Sequence, residues 1–187
     1  VIDMGGDNLD YDLGYVYKIS RSDALYLKET IALADKTNAR PSEALLFDNK
    51  NGDKVKINQF DASEIMMGRL EEILNLAKKQ INLLTKKQIS YIIVTGGVTE
   101  MADFKNVLNY VFKGAMLGNV TDIGARHNKY STAVGIIKYY DSKLAMQNRD
   151  YSIFSASEQE DLSGIHKRVN ISENSILGKL FGYFFDN

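Results

Sequence analysis

The chain has 187 residues, 44% hydrophobic and 25% charged, with a formal net charge of -1 and no cysteine. Length and composition are those of a soluble globular chain, with room for one domain or two small lobes and a tail. The balanced charge excludes a global field that draws in nucleic acid, the missing cysteines exclude disulfides and thiolate metal sites, and no apolar stretch is long enough to cross a bilayer. The two histidines, His127 and His166, sit in no zinc or Ser-His-Asp motif, so neither a metal site nor a triad is expected. No targeting segment is visible at the N-terminus, and a cytoplasmic setting is the default. Val1 opens inside an apolar, turn-rich segment, and the expectation is a natural start further upstream.

In chain order, Val1–Met4 reads as the end of a strand entering the Gly5-Gly6 turn, with a helix through Asp12–Tyr17. Ser20 caps the next helix, with Asp23 in its first turn and Leu25, Leu27 and Ile31 at apolar positions. Residues 38–51 look irregular and hold the single proline, Pro41. Asn51-Gly52 is a hairpin-type turn, and Lys54–Phe60 alternates as a half-buried strand. Asp61-Ala62-Ser63-Glu64 reads as a capping box. Behind it Met66, Leu70, Ile73, Leu74, Ala77, Ile81 and Leu84 recur at steps of three and four, which predicts an amphipathic helix of about 24 residues. Its other face holds Glu64, Arg69, Glu71, Glu72, Lys78 and Lys79. Tyr91–Thr95 is a continuous apolar run, expected in the middle of a sheet covered on both faces. A helix over Phe104–Phe112, a strand over Asn119–Ile123 and a helix over Tyr130–Tyr140 complete the core.

The strongest local signal is Val94-Thr95-Gly96-Gly97-Val98-Thr99, where a strand meets two glycines. Glycine admits a ligand close to the backbone. The third glycine of a dinucleotide fingerprint is absent, and no Gly-Lys-Ser/Thr of a P-loop follows. Taken alone, the pair reads as an ordinary strand-to-helix turn.

The order of segments adds more. Val1-Ile2-Asp3-Met4-Gly5-Gly6-Asp7 comes first, then Ala24 and Lys28 on one helix, then Thr95-Gly96-Gly97, then Tyr130-Ser131-Thr132-Ala133-Val134-Gly135. This set, over roughly residues 1–144, resembles the actin/Hsp70-like ATPases, and within them the FtsA family of bacterial division proteins. Departures are visible: Asp10 replaces a threonine of the first helix motif, Leu25 replaces the acid beside Ala24, and Gly68 falls where the long helix motif has proline. Asp3-Met4-Gly5-Gly6 has the look of the superfamily's phosphate turn, which the family order places upstream.

The resemblance implies an α/β, partial actin-like (ribonuclease H-like) fold. Residues 1–18 and 89–145 would form part of subdomain 2A, and residues 19–88 subdomain 2B. Residues 146–171 would be a flexible linker and residues 172–187 an amphipathic membrane-targeting helix. Thr95, Gly96 and Gly97 would lie against the adenosine of ATP, with Lys28 reaching the ribose or adenine edge. For Lys28, a solvated helix lysine is an equal alternative. The parts that hold phosphate and magnesium would lie upstream, so no ATP hydrolysis by this chain alone is expected. Glu64, Arg69 and Glu72 would receive the C-terminal peptide of FtsZ; a solvated, salt-bridged helix face is the other reading.

At 100° per residue, Ile176, Leu177, Leu180, Phe181, Phe184 and Phe185 share one face of the tail. Such a face fits an interfacial anchor, although Lys179 is its lone cation; docking on a protein partner remains the alternative. The implied function is a division adaptor that tethers FtsZ filaments to the inner face of the cytoplasmic membrane. It would self-associate into filaments, with ATP as a conformational ligand. A kinase of the same superfold and an actin-like scaffold of another assembly are the alternatives.

Overall fold

In the computed structural model, residues 1–148 are described. The elements are α1 (Gly6–Tyr17), α2 (Arg21–Thr30), β1 (Ala44–Asp48), β2 (Lys54–Asn58), α3 (Gln59–Leu84), β3 (Ile93–Val94), α4 (Phe104–Val111), β4 (Met116–Leu117) and α5 (Ser131–Met146). Short 3-10 turns lie at Lys36–Asn38, Gly97–Glu100 and Asn128–Tyr130. The described residues are thus mixed α/β, with two sheets of two strands each, β1–β2 antiparallel and β3–β4 parallel. The chain divides into two units, Val1–Ile137 and Lys138–Asn187, and α5 begins in the first and ends in the second.

Local chemistry sets the starts and turns. Ser20 Oγ accepts the Asp23 N–H at 3.1 Å and opens α2. Between β1 and β2, Asn49 Oδ1 accepts the N–H groups of Asn51 and Asp53, both at 2.9 Å, and Gly52 takes φ 85. The Asn51-Gly52 turn is therefore where the sequence places it, but β1 lies inside the segment expected to be irregular. Its residues do not alternate, and only Phe47 of the five is buried. The α3 helix starts two residues before the expected capping box. Asn58, whose side chain accepts the Asp61 N–H at 2.8 Å, is the cap, and Asp61 supplies the acid of the first turn.

The core of the first unit is made by helix stripes. Ala62, Met66, Leu70 and Leu74 recur every four residues on α3 and are buried. They join one cluster with Leu9 and Leu13 of α1, Ala24 and Leu27 of α2, Ile57 of β2, and Phe104, Val107 and Leu108 of α4. Each large side chain removed from water contributes about 1.5–3 kcal/mol. Two polar ties cross the core. Arg69 of α3 grips Asp12 of α1 through two hydrogen bonds, the longer 2.8 Å, and holds Glu72 at 2.6 Å. The hydrogen bonds to Asp12, against some loss of hydration, raise the Arg69 pKa further still. Asp35 is buried and accepts from the Thr37 N–H at 2.9 Å, the Thr37 hydroxyl at 2.6 Å and the Tyr110 hydroxyl at 2.9 Å. Burial works against the charge of Asp35, yet these hydrogen bonds outweigh it and leave its pKa below the ordinary value.

Several expected strands do not form. Residues 1–4 are irregular, because nothing lies alongside to pair with them among the described residues. Of the run Tyr91–Thr95 only Ile93 and Val94 are strand, and Tyr91 and Ile93 are exposed rather than covered on both faces. Residues 119–123 contain no strand; β4 sits two residues earlier, where the Met116 and Gly118 N–H groups donate to the carbonyls of Ile92 and Val94. No α-helix follows Gly96-Gly97 directly, since a 3-10 turn intervenes before α4. The linker beyond residue 148 and the terminal helix over residues 172–187 lie outside the described residues.

Candidate functional site

Two glycine turns meet at the site. The Gly5-Gly6 turn opens α1, and a Cβ on Gly6 would stand 3.2 Å from Val98 Cγ2, so glycine permits this close approach. Opposite, Gly96 takes φ 123, in the region that favours glycine, and leads into the turn Gly97–Glu100. The Gly96 carbonyl accepts the Thr99 N–H at 3.1 Å and the Thr99 hydroxyl at 2.7 Å.

Asn128 fixes this turn from behind. Its side-chain amide donates to Thr99 Oγ1 at 3.0 Å and to the Gly118 carbonyl at 2.9 Å, and its N–H donates to Glu100 Oε1 at 2.7 Å. Lys129 follows it and stands against Gly97; a Cβ on Gly97 would lie 3.5 Å from Lys129 Cβ. The segment before Tyr130-Ser131-Thr132-Ala133-Val134-Gly135 is thereby locked to the glycine turn.

An open cleft of about 1080 Å³ lies between these parts, lined by Gly5, Gly6, Arg21, Lys28, Gly97 and Lys129, by the carboxylates of Asp7, Asp10, Glu29 and Glu100, and by neighbouring polar and apolar residues. Its charges are mixed. Arg21 pairs with Asp7 at 3.2 Å on the rim. Lys28 Nζ lies 2.6 Å from Asp10 Oδ1, and both side chains are largely buried. The contact is a close ion pair, and it closes Asp10 Oδ1 off from solvent. Arg21, Lys28 and Lys129 thus supply cationic groups, a glycine wall supplies flat backbone, and Asp10 holds Lys28 in place.

Of the residues expected at a nucleotide, Lys28 and Gly97 come together on this cleft, while Thr95 and Gly96 lie outside its lining. Lys28 is not a solvated helix lysine, because its ammonium is paired and mostly buried. Asn128, Lys129, Asp10 and the Gly5-Gly6 turn were not among the residues picked from sequence. The adjoining motif at residues 130–135 was a signal for the first two, the ordered set already held the Gly5-Gly6 turn, and tertiary packing reveals the role of Asp10.

The three residues picked for a peptide partner have different situations. Glu64 is exposed and pairs with Lys36. Arg69 is committed to Asp12 and Glu72, so its guanidinium is a tie between α1 and α3. Tyr17 lies near this helix start; burial first, then the carboxylates of Asp61 and Glu64, push its pKa up to about 12. Ile176, Leu177, Leu180, Phe181, Phe184 and Phe185 lie outside the described residues. Among the described residues, no helix is long and apolar enough to cross a membrane, and no group of three acidic or histidine side chains is placed to hold a metal.

No protein-family model matches the chain. It is similar to the Chaperone protein HscA homolog of Rickettsia felis, with 26% identity over 166 residues, 87% of this chain and 24% of that protein. That relative is an Hsp70 chaperone within the actin/Hsp70-like ATPases. The likeness is weak and reaches the superfamily level; it does not single out FtsA.

Proposed function

We propose that the cleft between Gly5-Gly6, Lys28, Gly97 and Lys129 binds the nucleoside part of an adenine nucleotide, in the manner of an actin/Hsp70-like protein. The observation that carries this is convergence. Segments spaced over more than a hundred residues, and picked out by their order, close on one cleft. Gly97 is exposed and offers a wall without a side chain. The remaining N–H donors of the Lys28 ammonium suit polar ligand edges. These residues fit the nucleoside; none described here is assigned to magnesium or to phosphoryl transfer.

The finer reading is an FtsA-type adaptor, in which nucleotide in this cleft biases a scaffold that links FtsZ filaments to the inner face of the cytoplasmic membrane. Its support is the Tyr130–Gly135 run after Thr95-Gly96-Gly97, with Glu64 and Glu72 as peptide-facing acids and residues 172–187 as the lipid anchor. A second reading, a module of a nucleotide-dependent chaperone, is favoured by the likeness to the HscA homolog.

Backbone NMR of the full chain tests the common element. Adding ATP or adenosine at millimolar concentration should shift the amides of Gly97, Val98 and Lys129. Shifts confined to other surfaces, or none, would remove the cleft as a nucleotide site. Vesicle sedimentation and anisotropy titration with an FtsZ C-terminal peptide then separate the two finer readings: an adaptor binds both, and a chaperone module neither.

A further inference from the structure

Lys28 is the most enclosed of the three cations lining the cleft, and it is not free. Its Nζ sits 2.6 Å from Asp10 Oδ1, with 14% of the lysine side chain and 6% of the aspartate side chain exposed. Asp10 comes from the middle of α1 and Lys28 from the last turn of α2. Leu9 and Leu13 of α1 and Ala24 and Leu27 of α2, the neighbours of this pair, are fully buried, so the two helices hold the charged groups in register. Taking Lys28 away would strand a buried carboxylate, which is more costly than leaving a surface acid unpaired. A ligand phosphate therefore competes poorly with Asp10 for this ammonium. The remaining N–H donors of Lys28 stay available to neutral acceptors, while Asp10 Oδ1 is closed off from solvent behind the ammonium.

We propose that Asp10 is a specificity-determining positioning residue: it holds and neutralises Lys28, so that this end of the cleft takes the uncharged polar part of the ligand and turns phosphates away. Arg21 does not repeat this arrangement, because it and its partner Asp7 are exposed on the rim and are screened by water and salt. Among the described residues Lys129 has no ion-pair partner, and it leans over the Tyr130 ring, 5.0 Å from its centroid. The anionic end of a ligand thus has the Lys129 and Arg21 sides, where Asp7 and Glu100 also line the cleft, and the neutral end has Lys28 held by Asp10. Leu25, which also lines the cleft, adds an apolar surface beside the neutral end.

The inference rests on the cleft being a ligand site, but its test does not need nucleotide. Amine labelling of the full chain, read by mass spectrometry, gives the state of Lys28. In the wild type Lys28 should label far more slowly than the exposed Lys79, and in Asp10→Asn the difference should shrink. Calorimetry with inorganic tripolyphosphate should show Asp10→Asn binding about five-fold more tightly or better. That gain should vanish in the Asp10→Asn/Lys28→Met double variant. Adenosine, where it binds, should not gain from Asp10→Asn. Asp10→Thr serves as a second variant if the asparagine disturbs α1, with circular dichroism confirming the fold. Rapid labelling of Lys28 in the wild type, or no gain in tripolyphosphate affinity in either folded variant, would overturn the proposal. Loss of adenosine and ATP binding by the wild type, with the tripolyphosphate gain intact, would count against the nucleotide reading alone.

Discussion

The hairpin β1–β2 with α3 and the parallel pair β3–β4 with α4 are built to opposite plans. In the first, five residues of each strand are in register and the turn between them is closed by Asn49 and Gly52. In the second, only two residue pairs are in register, and the connection between the strands runs through a 3-10 turn and α4, which buries one face. Phe104, Val107, Leu108 and Val111 of α4 are buried, whereas Ile93 and Met116 of the strands it joins are exposed. The hairpin is thus specified by neighbours in sequence, and the parallel pair by a crossover that covers one side only. The cleft opens beside this second region, where short strands end in glycine turns rather than in further sheet.

Substitutions can break this contrast. Met66→Ala, in the stripe that supports the hairpin side, should cost about 2–5 kcal/mol in urea unfolding. Arg69→Met should cost about 1.5–3 kcal/mol, because it leaves the Asp12 carboxylate without two charged donors. Its double-mutant cycle with Asp12→Asn should show coupling, since the second change removes the stranded charge. Asp35→Asn, which loosens the tie of Tyr110 on α4 to the Lys36–Asn38 turn, should cost about 1–2 kcal/mol. The folded pKa of Asp35 is lowered, so its contribution is full above the ordinary carboxylate range and is lost as pH falls through the folded value. Wild-type melting temperature should therefore drop more steeply than that of Asp35→Asn on acidification. Ile93→Ala, in the exposed short strand, should change stability by no more than about 0.5 kcal/mol. A cost equal to that of Met66→Ala would mean that β3 is as well covered as the hairpin side.

The same contrast explains what the sequence made legible. The Ser20 cap, the Asn51-Gly52 turn and the first half of the α3 stripe rest on local rules and are found where they were read, with the α3 cap shifted to Asn58 and Leu84 exposed at the helix end. The apolar run Tyr91–Thr95 was misread because periodicity reports a strand's composition and not what covers it. At the site, Lys28 and Gly97 were legible only through the resemblance to the actin/Hsp70-like ATPases. Asp10 was noticed only as a departure, since its meaning depends on where α1 meets α2. Asn128 stands beside the Tyr130–Gly135 motif, but its role was not legible, because an asparagine locks a turn only through partners distant in sequence.

The central claim is that the cleft at Gly97 holds a nucleoside, and a paired titration tests it most directly. Adenosine and ATP affinities are measured by calorimetry for the wild type, for Gly97→Asp, and for Gly68→Asp, a control on α3 with open space around it. The cleft reading predicts binding by the wild type and by Gly68→Asp, and its loss in a folded Gly97→Asp protein. Equal affinity of all three proteins would contradict it.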